Sequence, residues 1–233
     1  MIREADRVTD EFVALISHEL RTPLTTIIGY LELTLDDAEL AEEHRRYLEI
    51  VDHSAARLLK LMDNLLLVAQ IEAGALEIRA GELDLAAVAR KAVNEAQACA
   101  AAKGIALTSG TDAVALVHAD KGRMFQVFDN LVSNAIKFTP EGGDVRVSVA
   151  GAGGMVRLEV VDTGIGIAAD DQPRLFERFF RTSTVAEQQL PGTGLGLYIV
   201  RAIVEAHGGS ITVRSELGEG TSFSVALPVG FAD

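Results

Sequence analysis

A heptad pattern in the first third of the chain limits its fold more than any other feature. Leu48, Val51, Ala55, Leu58, Met62, Leu65 and Ala69 alternate spacings of three and four residues over three repeats. That is a long helix with a continuous apolar seam. Gly74 follows as a C′ residue, so this helix is predicted over about 41–73. Upstream, Phe12, Ile16, Leu20, Ile27 and Leu31 recur at helical spacing and predict a first helix over about 2–35, joined to the second through Asp36-Asp37-Ala38-Glu39. Two antiparallel helices cannot cover the seam on both sides. A second hairpin from another copy would complete a four-helix bundle; the alternative is that the hairpin packs on the rest of its own chain.

The first helix carries one polar feature. His18 lies two residues from both Ile16 and Leu20, which at 100° per residue turns it about 200° from the stripe. It should face solvent, with Glu19 beside it and Thr22 one turn on. Pro23 removes a backbone donor and should bend the helix just past the histidine. An imidazole in water, flanked by a carboxylate on a rigid helix, can serve as a nucleophile. Taken alone, these residues read first as a surface histidine, and the rest of the chain reverses that.

Charge narrows the partners. The formal net charge of -13 disfavours nucleic acid and unassisted docking on anionic membranes. No apolar run reaches the roughly 18 residues of a membrane span, and no signal peptide opens the chain. The single cysteine, Cys99, excludes a disulfide framework within the chain, fits a reducing compartment and is expected to be buried and inert. Because Met1 leads at once into helical sequence, the chain is expected to be a fragment whose upstream part was left out.

From about Glu82 the pattern changes. Short strands at Leu83–Leu85, Ile105–Thr108, Val114–Val117, Asp144–Val149, Met155–Val161, Ser210–Ser215 and Thr221–Leu227 mix with helices over about 86–103, 121–138 and 195–206. This order predicts an α+β sandwich, one sheet with helices on one face.

Three features of this half belong together. Asn130, Asn134 and Lys137 fall within about 60° on one helix face, beside an apolar arc of Val127, Leu131, Ala135 and Phe138. Two amide oxygens and an ammonium could hold a hydrated magnesium and its phosphates, or form a solvated polar face. Asp162 ends an apolar strand before Thr163-Gly164-Ile165-Gly166. A carboxylate there needs a donor, which could be an adenine amino group or its own Asp-Thr-Gly turn. Gly192-Thr193-Gly194-Leu195-Gly196-Leu197 opens a helix whose free N–H groups could receive phosphate. It is not a Walker A loop, since no Lys-Ser/Thr follows. Between these glycine runs, about thirty residues without steady period read as a lid. They include Leu175-Phe176-Glu177-Arg178-Phe179-Phe180-Arg181, expected to be an apolar anchor carrying two arginines.

Taken together, these stretches resemble the transmitter core of two-component sensor histidine kinases. Ser17-His18-Glu19-Leu20-Arg21-Thr22-Pro23-Leu24 is similar to that family's phosphoacceptor box, and Asn130 through Phe138 to its asparagine box. The runs at Asp162–Gly166 and Gly192–Gly196 resemble its two glycine boxes, Phe176–Arg181 its phenylalanine box, and Gly218-Glu219-Gly220-Thr221-Ser222-Phe223 its closing hairpin. The matches span about residues 8–228 in family order.

The resemblance implies a helical hairpin forming a dimeric four-helix bundle (1–74), a linker (75–81) and a catalytic ATP-binding α+β sandwich of the gyrase/chaperone/histidine kinase type (82–233). It implies that His18 accepts the γ-phosphoryl group of ATP and that Glu19 orients the imidazole. Asn134, with Asn130, would ligate Mg2+, and Lys137 would meet phosphate. Asp162 would read adenine, near an aromatic Phe138. Gly164, Gly166, Gly192, Thr193, Gly194, Leu195, Gly196, Leu197 and Thr221 would shape the nucleotide pocket. Arg178 or Arg181 would stabilise the transferring group, with Arg181 preferred. A response regulator's receiver domain would take the phosphoryl group, and Thr22 would help dephosphorylate it. The implied location is cytoplasmic, and a parent protein anchored in the inner membrane through an N-terminal sensor region is compatible with it. The rivals are a plain ATPase of the gyrase or mismatch-repair type, with no use for His18, and a dimeric scaffold with a degenerate ATP site.

Overall fold

Helix α1, Glu42–Glu72, carries the heptad seam. Its two columns have different fates. Ala55, Met62 and Ala69 are buried, whereas Val51, Leu58 and Leu65 are 47%, 50% and 37% exposed. Leu24 packs with Ala55 and Met62, and Ile28 and Leu59 join them. Residues 24–31 are helical, so the first helix covers one column of the seam. Glu42 and Glu43 in the first turn of α1 suit the positive end of its dipole. At the other end Gly74 adopts φ 65°, and the N–H of Ala75 donates to Gln70 O at 2.8 Å, which closes the helix as its glycine predicted.

The structure is a computed structural model and describes residues 22, 24–31, 34–35, 40–110, 114–187 and 192–230. The chain divides into two compact units, Met1–Leu76 and Glu77–Asp233.

In the second unit the described elements are β1 (Gly81–Asp84), α2 (Leu85–Ala102), β2 (Ala106–Ser109), β3 (Leu116–Ala119), α3 (Lys121–Phe138), β4 (Asp144–Ala152), β5 (Met155–Asp162), α4 (Ser183–Glu187), α5 (Gly196–Ala206), β6 (Ser210–Glu216) and β7 (Gly220–Pro228). Five strands form one sheet in the order β2-β4-β5-β7-β6. Only the β2–β4 pair in it is parallel. Strand alternation sends Val145, Val147, Leu158, Val160, Phe223 and Val225 to the buried face. Against that face α2, α3 and α5 bring Ala89, Val93, Val127, Leu131, Ile199 and Ile203, all buried.

The single sheet expected from the sequence needs an addition. β1 and β3 pair antiparallel in a separate two-stranded ribbon. The predicted strand at Leu83–Leu85 stops one residue early because Asp84 caps α2. Its Oδ1 accepts from Ala86 N and Ala115 N, both at 3.0 Å, and Leu85 turns into the core. Cys99 is exposed rather than buried; Ala100, its neighbour on α2, takes the inward position.

Helix α3 starts at a polar junction. Asp120 caps it, accepting from Arg123 N at 3.0 Å, and also takes the N–H of Arg79 at 2.9 Å. Burial works against the charge of Asp120, but these backbone donors outweigh it and hold its carboxyl below the usual value. The N–H of Asp120 donates to Nε2 of buried His207 at 3.0 Å, while Nδ1 lies 2.7 Å from Ile203 O. A ring that accepts at Nε2 and faces a carbonyl at Nδ1 carries its proton on Nδ1. This histidine joins the start of α3 to the end of α5.

Candidate nucleotide site and phosphoacceptor

Helix α3 turns one polar edge toward the glycine loops. Asn130 is buried, and its Nδ2 donates to Gln126 O at 2.9 Å. That leaves Oδ1 facing α5, where a Cβ added to Gly196 would stand 3.0 Å from it. Asn134 follows one turn on and is half-buried. Lys137 lies in the last turn, its Nζ 4.3 Å from the centre of the half-buried Phe138 ring. A Cβ on Gly192 would come within 2.9 Å of that ammonium. The asparagine face and the second glycine run therefore meet in space, although about sixty residues separate them in sequence.

The end of β5 joins the same place. Asp162 is 7% exposed, and its Oδ1 accepts from Gly164 N at 2.9 Å. Burial pushes its carboxyl above the ordinary value, and the N–H groups of Gly164 and Thr221 offset only part of that. The self-stabilising Asp-Gly turn weighed from the sequence therefore exists, but it occupies only one carboxylate oxygen. A Cβ on Gly164 would meet Asp162 Oδ1 at 2.6 Å and Phe138 O at 2.7 Å. At Gly166, φ is 65° and a Cβ would lie 1.9 Å from Glu216 O. No other residue fits at either position without moving backbone.

Buried Thr221 faces Asp162 across the β5–β7 ladder. Its hydroxyl lies 2.9 Å from Ser215 Oγ, which donates to Gly220 O at 2.8 Å and accepts from Ile167 N at 2.9 Å. Ser215 was not singled out from the sequence. The available signal was a hydroxyl at an inward position of an alternating strand.

Beyond the second glycine run, α5 begins with no side-chain cap hydrogen bond, and a helix start is a place where an anion can be received. Leu195 is fully buried, Leu197 half-buried, and Thr193 Oγ1 accepts from Leu195 N at 3.3 Å. Gly194 has φ 72°, and its missing Cβ makes room for the Phe179–Phe180 backbone, which would stand 2.5 Å away.

That contact ties the lid to the site, but the lid is not the apolar anchor expected. Within 175–181 Leu175 alone of the apolar residues is buried, and Phe179 is 60% exposed with φ 59°. Phe176 and Phe180 are half-buried beneath arginines, Arg201 at 5.8 Å and Arg174 at 4.5 Å. Arg178 and Arg181 are both exposed, and Arg181 donates to Val185 O at 3.2 Å. In the other unit Thr22 is helical and exposed, its carbonyl accepting from Thr26 Oγ1 at 3.1 Å. His18, Glu19 and the bend expected at Pro23 lie outside the described residues.

Residues 9–74 match the family model of the His Kinase A (phospho-acceptor) domain. Residues 119–230 match that of the histidine kinase-, DNA gyrase B- and HSP90-like ATPase. The chain belongs to the histidine kinase family. It is a transmitter core, and the match over 9–74 separates it from ATPases that share only the second module. This histidine kinase is 40% identical over 230 residues to the histidine protein kinase DivJ of Caulobacter vibrioides, covering 94% of the chain and 37% of DivJ. It is 42% identical over 229 residues to the virulence sensor protein BvgS of Bordetella bronchiseptica, covering 96% of the chain and 18% of BvgS. The chain thus spans less than two fifths of either relative. Among solved structures, full-length ShkA in complex with AMPPNP superposes with a TM-score of 0.75 at 35% identity, over 94% of this chain and 45% of that one. The catalytic domain of the histidine kinase ThkA gives 0.58 at 31% identity, over 66% of this chain and 97% of that one. Among the described residues no helix is long and apolar enough to cross a membrane.

Proposed function

We propose that this chain is an ATP-dependent protein-histidine kinase that phosphorylates its own His18. The observation that carries the reading is the meeting of Asn130, Lys137 and Asp162 with two glycine runs around the C-terminal half of α3. The pocket fits a magnesium nucleotide on its own chemistry. At Gly192 and Gly196 the absent Cβ leaves room beside Lys137 Nζ and Asn130 Oδ1, 2.9 and 3.0 Å from where it would stand, and at Gly164, Gly166 and Gly194 it lets neighbouring backbone pack close around the site. Asn130 and Asn134 offer neutral hard oxygens, suited to a cation that must also meet a polyphosphate. When bound, Mg2+ supplies charge neutralisation for the phosphate oxygens.

In this reading the second oxygen of Asp162 accepts from the adenine amino group. Gly192–Leu197 and the start of α5 receive phosphate, beside Lys137. Thr221 and Leu195 close the walls and Phe138 lies near the base. Arg181 or Arg178 balances charge on the phosphoryl group in flight. His18 attacks the γ-phosphorus through a ring nitrogen, with ADP leaving, while Glu19 accepts from the other nitrogen and steadies the imidazole. The domains of this reading are 1–74 for dimerisation and phosphoacceptance, 75–81 as linker and 82–233 for catalysis. The exposed column of Val51, Leu58 and Leu65 supports a homodimer.

Onward transfer to an aspartate of a response regulator is part of the proposal, and so is hydrolysis of that aspartyl phosphate with Thr22 holding the water. Incubation with ATP labelled on its γ-phosphate, then denaturing electrophoresis, tests the core of it. Label that survives base but not acid is expected. Steady ATP turnover without label on the protein would instead favour a plain ATPase. Thr22→Ala should keep autophosphorylation but lose decay of a purified phospho-regulator in the presence of ADP; equal decay would remove Thr22 from the hydrolysis.

A further inference from the structure

We propose that Lys103 is a positioning residue for the magnesium–phosphate grip, acting through the C-terminal end of α3. The proposal rests on the nucleotide reading above. The last four carbonyls of a helix have no partner within it, and in α3 all four find one elsewhere. Ala135 O accepts the N–H and the hydroxyl of Thr139 at 3.0 and 2.7 Å. Ile136 O and Lys137 O both accept from Lys103 Nζ, at 2.8 and 2.6 Å. Phe138 O accepts the N–H of Ile165, in the first glycine run, at 3.1 Å. Of these partners only Lys103 comes from another helix. It is the C-cap of α2, and Gly104, at φ 70°, turns the chain away directly after it.

An ammonium on two carbonyls makes charge-assisted bonds at the negative end of the helix dipole. These bonds hold the last turn of α3 helical through Lys137. That turn carries Lys137, and the turn before it carries Asn134. Without the ammonium, two half-buried carbonyls must recruit water, and the turn opens to let it in. Magnesium tolerates such loosening poorly, because it demands near-ideal octahedral geometry. Asp162 is held by the β5 ladder and by Gly164, and its loop meets that turn through the Ile165 N–H on Phe138 O, so recognition of the base depends on the turn less than the metal grip does. Lys103 therefore acts on the metal-linked part of nucleotide affinity.

The test uses the full chain and two titrations: a non-hydrolysable ATP analogue with Mg2+, and ADP in EDTA. Lys103→Met keeps the methylene stem and removes the donor. It should raise the Kd of the magnesium complex about tenfold, the loss of roughly one charged hydrogen bond. ADP in EDTA should change less than about twofold by the same reasoning. Lys103→Arg, which can still donate to both carbonyls, should restore most of the affinity. Equal losses in both titrations, or no loss in either, would overturn the proposal. If Lys103→Met does not fold, Lys103→Gln, with a donor for one carbonyl, is judged by the same split. Asn134→Ala separates this failure from failure of the parent reading. If it leaves the magnesium-dependent affinity intact, the nucleotide reading falls and Lys103 falls with it.

Discussion

In the nucleotide-binding unit the apolar faces of α3 and α5 vanish into the sheet: Leu131, Ile199 and Ile203 are fully buried. In the helical unit α1 does so with only half of its seam. Ala55 and Met62 meet Leu24 and Ile28, while Val51, Leu58 and Leu65 remain in solvent at seven-residue intervals. Scattered exposed apolar residues need no explanation, but a periodic column of them on one helix marks a surface built to be covered. A sheet carrying three helices closes a core within one chain. A two-helix hairpin cannot, because each helix has neighbours on one side only. The difference teaches that the catalytic unit is complete as a single copy and that the phosphoacceptor unit is half of something.

Four substitutions break or sharpen that contrast. The largest effect belongs to His18→Gln, which should abolish autophosphorylation while ATP affinity stays within about twofold, since no direct contact with bound nucleotide is lost. Acid-labile label on this variant would identify another histidine as acceptor. Next comes Leu58→Glu in the full chain. It puts a charge into each copy's half of the proposed bundle and should weaken dimerisation by about a hundredfold or more. Sedimentation velocity at several concentrations reads this, and an unchanged dimer would move the interface away from the open column.

Asp162→Asn should cost about ten- to a hundredfold in ATP affinity. With Oδ1 held by the N–H of Gly164, the other position becomes an NH2 group and opposes the adenine amino group. The same variant carries a stability signature confined to the nucleotide unit. Burial raises the folded-state value of Asp162 above its ordinary 3.8, so the folded state binds that proton more tightly than the unfolded chain. The resulting stabilisation is complete below 3.8 and is lost as pH rises through the folded value. Above the folded value the ionised carboxylate thus burdens the fold. Asp162→Asn should melt at a higher temperature than the parent chain there, and the gap should close on acidification. A variant that melts lower at neutral pH would contradict this environment. The smallest effect is expected at Phe179, an exposed aromatic of the nucleotide unit. Phe179→Ala should leave sedimentation unchanged, because a lone exposed ring is not a seam; loss of the dimer would mean that both units contribute to it.

Local signals made much of this molecule legible. Helix α3 spans Lys121–Phe138 as its pattern predicted, because Asp120 caps its start and Pro140 forbids its continuation. Gly74, Gly104, Gly166 and Gly194 occupy left-handed φ, and such positions declare themselves by the residue that fills them. The heptad spacing by itself determined that α1 would be long and carry a continuous stripe. The order of the polar boxes indicated the family.

Other properties were decided only when the chain closed on itself. Nothing in the spacing says which column of the seam the first helix would take. The separate β1–β3 ribbon, the exposure of Cys99 and Phe179, and the grip of Lys103 on Ile136, 33 residues away, likewise left no pattern to read. The physical reason is range. Caps, breakers and amphipathic periods act within a turn or two of the backbone and leave a mark at a fixed offset. A side chain that satisfies a distant carbonyl, or a face that chooses between two neighbours, depends on what the rest of the fold brings beside it.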